Sequence, residues 1–186
     1  MTIYALSSGQ GISGIAVIRV SGNKAKNILK SITNGRFPKE RVANLKKLIN
    51  PETKETIDEG IVIWFKGPHS YTGEDMIEIH THGSKAVVYE LHNILEKFED
   101  CRIAEPGEFT KLAFKNNKIN LLKAESIGDL IAAETELQRK QALRIMSGVT
   151  SKKFNSWRDE LIKALGEIEA KIDFPDEDLP EDISHS

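Results

Sequence analysis

Gly67-Pro68-His69-Ser70-Tyr71-Thr72-Gly73-Glu74-Asp75-Met76-Ile77-Glu78-Ile79-His80-Thr81-His82-Gly83 passes from turn to strand without a break. Gly67 and Pro68 open a turn of defined shape, and Ser70, Gly73 and Asp75 keep the chain from regular structure until Met76. From there Ile77 and Ile79 face one way, while Met76, Glu78 and His80 face the other, the period of two of a β-strand. Glu78, His80 and His82 thus share one face. A small-molecule site is expected here first.

Working outward, residues 14–20 (Gly-Ile-Ala-Val-Ile-Arg-Val) read as a buried strand after the turn Ser7-Ser8-Gly9-Gln10-Gly11. Ser21 and Gly22 lead into a helix over about 23–33, with Ala25, Ile28, Leu29 and Ile32 on one face and Asn34-Gly35 as its stop. Ile61 to Phe65 is a second strong strand. A helix over 85–98 turns Val88, Leu91, Leu95 and Phe98 to the core, and Pro106-Gly107-Glu108 opens a short helix to about Asn116. Residues 121–172 contain no proline and read as helices, with a break at Ser147-Gly148. The last helix carries Phe154, Trp157, Leu161, Leu165, Ile168 and Ile172 in a near-heptad stripe that wants partner helices. Phe174-Pro175 ends it, and an acidic tail follows.

The 186 residues suffice for one filled core or a core with a smaller unit beside it. A content of 39% hydrophobic and 29% charged residues is that of a soluble protein. No stretch approaches the roughly 20 apolar residues of a spanning helix, and Met1-Thr2-Ile3-Tyr4 does not open a secretory signal, so a cytoplasmic location is expected. One cysteine, Cys101, excludes an intrachain disulfide. The net charge of −2 hides a basic segment, 21–54, with nine Lys or Arg against two Glu. It suits either a solvated surface or an RNA backbone.

Several residues carry possible chemistry. Arg19 is a guanidinium in an apolar strand, suited either to an ion pair at the strand end or to a fork on a ligand's carboxylate or heterocycle edge. Tyr71 can cover a planar ring and Thr72 can donate a hydrogen bond, or the loop is simply a rigid turn. Glu78 matches a ring edge bearing adjacent N–H donors, as in a pterin or guanine. The Glu78, His80, His82 spacing is compatible with zinc, but His82 abuts Gly83 and no complement is evident, so no metal site is assigned. Lys118 suits a ligand carboxylate or plain solvation. Gly9-Gln10-Gly11-Ile12-Ser13-Gly14 precedes a strand instead of opening a helix, and no G-x-x-x-x-G-K-[ST] occurs, so no nucleotide loop is expected.

Gly67–Gly83, read with Arg102-Ile103-Ala104-Glu105-Pro106-Gly107-Glu108-Phe109-Thr110, resembles the tRNA modification GTPase family that acts on wobble uridine. Thr2–Ala5, Gly14–Gly22, Ala113–Asn116, Asn120–Ile131 and Ile172–Glu177 extend the resemblance in order along nearly the whole chain. It implies an α+β fold. Residues 1–118 would form a tetrahydrofolate-binding and dimerisation domain similar to folate-dependent aminomethyltransferases, and 119–186 a partial all-α helical domain with an acidic tail. The family's GTPase domain, with its GTP, Mg2+ and K+, is not expected in these residues, nor is catalysis by them alone.

The resemblance places folate contacts on Arg19, Glu78 and Lys118, with Tyr71, Thr72 and Arg102 as looser members of the pocket. Glu78 would meet the pterin N–H edge, and Arg19 and Lys118 would hold carbonyl or carboxylate oxygens. Ser7-Ser8 stands where the family commonly has Thr-Pro. The implied ligand is 5-formyltetrahydrofolate, and the implied partners are a second copy, tRNA and an FAD-dependent tRNA modification protein, with no membrane. Two other functions fit the same residues: a stand-alone folate-dependent one-carbon transferase, and a dimerisation or RNA-docking module without ligand.

Overall fold

In the computed structural model, residues 1–9, 11–34 and 37–173 are described. Gly35, Gln10, the Phe174-Pro175 stop and the acidic tail named above lie outside them. The chain divides into two compact units, Met1–Asn120 and the residues from Leu121 onward.

The first unit is a six-stranded sheet of order β3-β4-β5-β2-β1-β6. Its strands are β1 (Thr2–Leu6), β2 (Ser13–Ser21), β3 (Asn44–Ile49), β4 (Thr56–Phe65), β5 (Met76–Gly83) and β6 (Cys101–Ile103). All neighbours pair antiparallel except β1 with β6. Three helices accompany them: α1 (Ala25–Ile32), α2 (Lys85–Glu96) and α3 (Glu108–Lys115). The α+β class expected from the sequence is the one observed.

Alternation along the strands divides the sheet into two chemically distinct faces. Ile18, Val20, Val62, Trp64, Ile77, Ile79 and Tyr4 form the core with Ala25, Ile28, Leu29 and Ile32 of α1 and Leu91, Ile94 and Leu95 of α2. Val87, not the expected Val88, packs against that core. Val88 instead lines a surface groove with Leu6, Tyr89 and His92.

Three strands were not foreseen. β3 carries Lys46 and Lys47, which read as part of the basic segment, yet lysine is what an edge strand uses to discourage further pairing. β6 spans three residues, too short for a periodic signal, and β1 gains its strand character from pairing on both sides.

The second unit holds α4 (Leu121–Ala132), α5 (Glu136–Met146) and α6 (Val149–Asp173). Thr135 caps α5 in a reciprocal box with Gln138, and Gly148 turns the chain at φ +86°. Ala142 is buried, whereas the α6 stripe is exposed from Phe154 to Ile172.

Candidate functional site

The register across the second face of the sheet sets the geography of the site. One ladder runs Phe65–Met76–Ser21–Ile3–Arg102, the next Ile63–Glu78–Arg19–Ala5, and the third Leu45–Ile61–His80–Val17. The first is covered: Met76, Ser21 and Ile3 are 3% exposed or less. The third lies open at Leu45 and Ile61, 67% and 41% exposed. Arg19 and Glu78 sit on the boundary between them.

Arg19 donates to Glu78 Oε1 from Nε at 3.1 Å and from Nη2 at 2.7 Å. Both side chains are largely withdrawn from water, 26% and 16% exposed. The other carboxylate oxygen, Oε2, lies 3.6 Å from His80 Nε2. The rings of Tyr71 and Phe109 each lie 5.5 Å from the Arg19 guanidinium carbon, a distance at which an aromatic face attracts the cation. Arginine, carboxylate and two aromatic planes are thus collected from β2, β5, the 67–75 loop and α3.

The loop is held by its own polar side chains. Thr72 is fully buried, and its hydroxyl shares a 2.6 Å hydrogen bond with that of Ser21. Ser21 also lies 3.2 Å from Glu74 Oε2, Asp75 Oδ1 accepts from the Gly67 amide at 3.0 Å, and Asn116 donates to the Thr72 carbonyl at 2.7 Å. The Tyr71 hydroxyl meets that of Thr110 on α3 at 2.9 Å. Lys118 lays its stem beside Gly73 and donates from Nζ to the Pro68 carbonyl at 2.7 Å.

The structure brings Arg19, Glu78 and Tyr71 into one cluster, with Thr72 and Lys118 fastening its loop. Arg102 stands apart. It donates to both oxygens of Glu108, at 2.6 and 2.9 Å, and to the Ile103 carbonyl at 2.9 Å. Those bonds hold the Glu108 carboxyl below its ordinary range and tie the start of α3 to the sheet. Phe109, the next residue, is the member that sequence reasoning missed; an aromatic early in an amphipathic helix reads as core.

His82 is engaged by Asp58. Asp58 accepts from its main-chain amide and its Nδ1, each at 2.8 Å. Among the described residues no group of three or more His, Cys, Asp or Glu side chains is arranged to hold a metal ion. Burial raises the Asp58 carboxyl, but the bonds from His82 and the Glu59 amide outweigh it and the net shift is downward. A carboxyl lowered on folding stabilises above its unfolded pKa, and that stabilisation is lost as pH falls through the folded value. Asp58→Asn, which can accept only one of the two His82 bonds, is therefore expected to cost about 1–2 kcal/mol at pH 7. The gap between wild-type and variant melting temperatures should close below the ordinary aspartate value of 3.8. An equal gap at pH 7 and pH 2.5 would show that the charge is not responsible.

Cys101 is buried in the core, and burial pushes its thiol up to about 11, which leaves it protonated and unsuited to nucleophilic attack at neutral pH. Among the described residues no helix is long and apolar enough to cross a membrane.

Comparison with known proteins adds the following. Residues 2–118 match the family model described as GTP-binding protein TrmE N-terminus, and residues 121–186 match the MnmE helical domain. A tRNA modification GTPase MnmE of Pelagibacter ubique is 63% identical over 183 residues, covering 98% of this chain and 41% of the relative. Proteins of the same description from Rickettsia akari and Rickettsia bellii are each 50% identical over 182 residues, with the same coverage. The chain thus spans about two fifths of the length of these curated relatives.

Proposed function

Because the chain belongs to the TrmE/MnmE family and carries its N-terminal and helical domains in that order, we propose that its first unit binds 5-formyltetrahydrofolate across the Arg19–Glu78 pair and self-associates through the open part of the same sheet face. The observation that carries the ligand is the boundary position of that pair. A carboxylate with one oxygen held by arginine keeps lone pairs for the adjacent N–H donors of a pterin edge, which a carboxylate accepts well. Tyr71 and Phe109 supply flat apolar walls, and Arg19 and Lys118 supply positive charge for oxygens on the ligand. These residues fit a reduced folate in charge, planarity and donor set. Arg102 acts at one remove, holding α3 so that Phe109 stays over Arg19.

When bound, the folate would supply a one-carbon unit for modification at C5 of a wobble uridine. The residues of this chain would bind and orient it. Within the longer family proteins, tRNA, an FAD-dependent partner protein and a GTP cycle complete the proposed process.

The third ladder supports the self-association reading. Leu45 and Ile61 form an apolar step beside the ligand site, and a second copy covering that step would also remove water from the Arg19–Glu78 boundary. Titration calorimetry of the 186-residue chain with 5-formyltetrahydrofolate tests the first claim, and saturable one-to-one binding per chain is expected. Sedimentation at micromolar concentration should give a dimer, with Leu45→Lys/Ile61→Lys shifting it to monomer. A folded dimer that takes up no folate would leave only the docking-module reading, and a monomeric wild type would remove the interface.

A further inference from the structure

His80 Nε2 is buried and has no hydrogen-bond partner among the described residues. Its position on the sheet explains why no ordinary partner is near. On the same face its cross-strand neighbours are Ile61 on β4 and Val17 on β2, neither of which carries a polar side-chain atom. Along its own strand, Glu78 is the residue that shares its face toward the covered ladder, with Oε2 at 3.6 Å from Nε2. That gap lies just outside hydrogen-bond reach. Arg19 meanwhile spends both of its bonds to Glu78 on the other oxygen, Oε1.

Resting on the folate reading above, we infer that His80 is a positioning residue for Glu78, donating from Nε2 to Oε2 when the ligand is bound. A small rotation of the carboxylate closes the 3.6 Å gap, so that arginine holds one oxygen and histidine the other. The plane of the carboxylate is then fixed: Oε1 takes both Arg19 bonds, and Oε2 keeps one lone pair directed away from His80. An acceptor held in a fixed plane aligns the N–H donor of the ligand edge that meets it. A buried imidazole nitrogen without a partner is costly, and the rotation satisfies it. The proton must then reside on Nε2, with Nδ1 unprotonated in the neutral ring.

The test compares wild type, His80→Gln, His80→Asn and His80→Leu in calorimetry with 5-formyltetrahydrofolate at pH 7.5. The amide nitrogen of glutamine reaches the place of Nε2, whereas that of asparagine reaches only the place of Nδ1. His80→Leu and His80→Asn should bind about 10- to 100-fold more weakly, the range for loss of one hydrogen bond to a charged group. His80→Gln should stay within about threefold of wild type, a rescue that a space-filling role would not produce. In the wild-type complex, long-range proton–nitrogen spectra should show the Nε2–H tautomer of His80. Wild-type affinity in His80→Leu, no rescue in His80→Gln, or an Nδ1–H tautomer in the complex would each overturn the role of His80 while leaving folate binding intact. Absence of wild-type binding would overturn the folate reading and this role together.

Discussion

Glu78→Ala and Arg19→Ala are each expected to weaken binding of 5-formyltetrahydrofolate by at least about 100-fold, the effect of losing a charge-assisted hydrogen bond and leaving its partner unmatched in a half-buried place. Glu78→Gln is the sharper variant. It keeps the shape of the side chain but replaces one acceptor oxygen by a donor, which would oppose the N–H donors of the ligand edge. It should therefore bind nearly as poorly as the alanine variant. Lys118→Ala should be milder, because Lys118 is exposed and its ammonium already donates to the Pro68 carbonyl. Thermal unfolding of each variant separates lost binding from lost fold, and affinities are compared among variants that remain folded at the assay temperature. Folded Glu78 and Arg19 variants with wild-type affinity would move the ligand elsewhere.

A large stability effect is expected at Gly22. Its φ is +134°, a backbone conformation that L side chains rarely adopt, and its amide donates to the Asp75 carbonyl at 2.9 Å. A Cβ there would lie 2.6 Å from Thr2 Cα and 2.7 Å from the Met1 carbonyl oxygen. Thr2 cannot give way easily. It is fully buried, its amide donates to the Asp100 carbonyl at 2.8 Å, and its hydroxyl accepts from the Lys24 amide at 3.0 Å. Backbone strain and overpacking each cost about 1–3 kcal/mol, so Gly22→Ala should lose roughly 3–5 kcal/mol of a total on the order of 5–15. A drop in melting temperature of roughly 10 °C or more should appear by circular dichroism. The control is Gly128→Ala on α4, where a Cβ meets nothing within 4 Å and helix propensity predicts a slight gain. Gly22→Ala melting within about 2 °C of wild type would mean that the β2–α1 turn is more pliable than its contacts indicate.

Glu78 and Arg19 were legible as candidates because a charged residue in an alternating or apolar strand stands out against a strong local pattern. Their pairing was not legible. They lie 59 positions apart, and only the β2–β5 register sets them opposite each other. Phe109 and Ser21 escaped notice for the converse reason, since an aromatic in a helix and a serine at a strand end have ordinary local explanations. Arg102 shows the opposite limit. It belongs to the same stretch of resemblance as Phe109, yet its donors go to Glu108 and the Ile103 carbonyl, not to the Arg19–Glu78 pair.

The sequence by itself determined the two-way alternation of β5, the main helices, the turn chemistry of 67–75 and the family. Each of these rests on backbone periodicity or on local residue choice, which act over a few neighbours. Tertiary structure alone decided which face of the sheet the helices cover and which stays open. It also decided that Arg19 and Glu78 lie on the boundary and that His80 Nε2 faces Glu78 without reaching it. Those outcomes depend on strand order and register, which are settled by the summed burial of residues distant in the chain, and no local segment carries that sum.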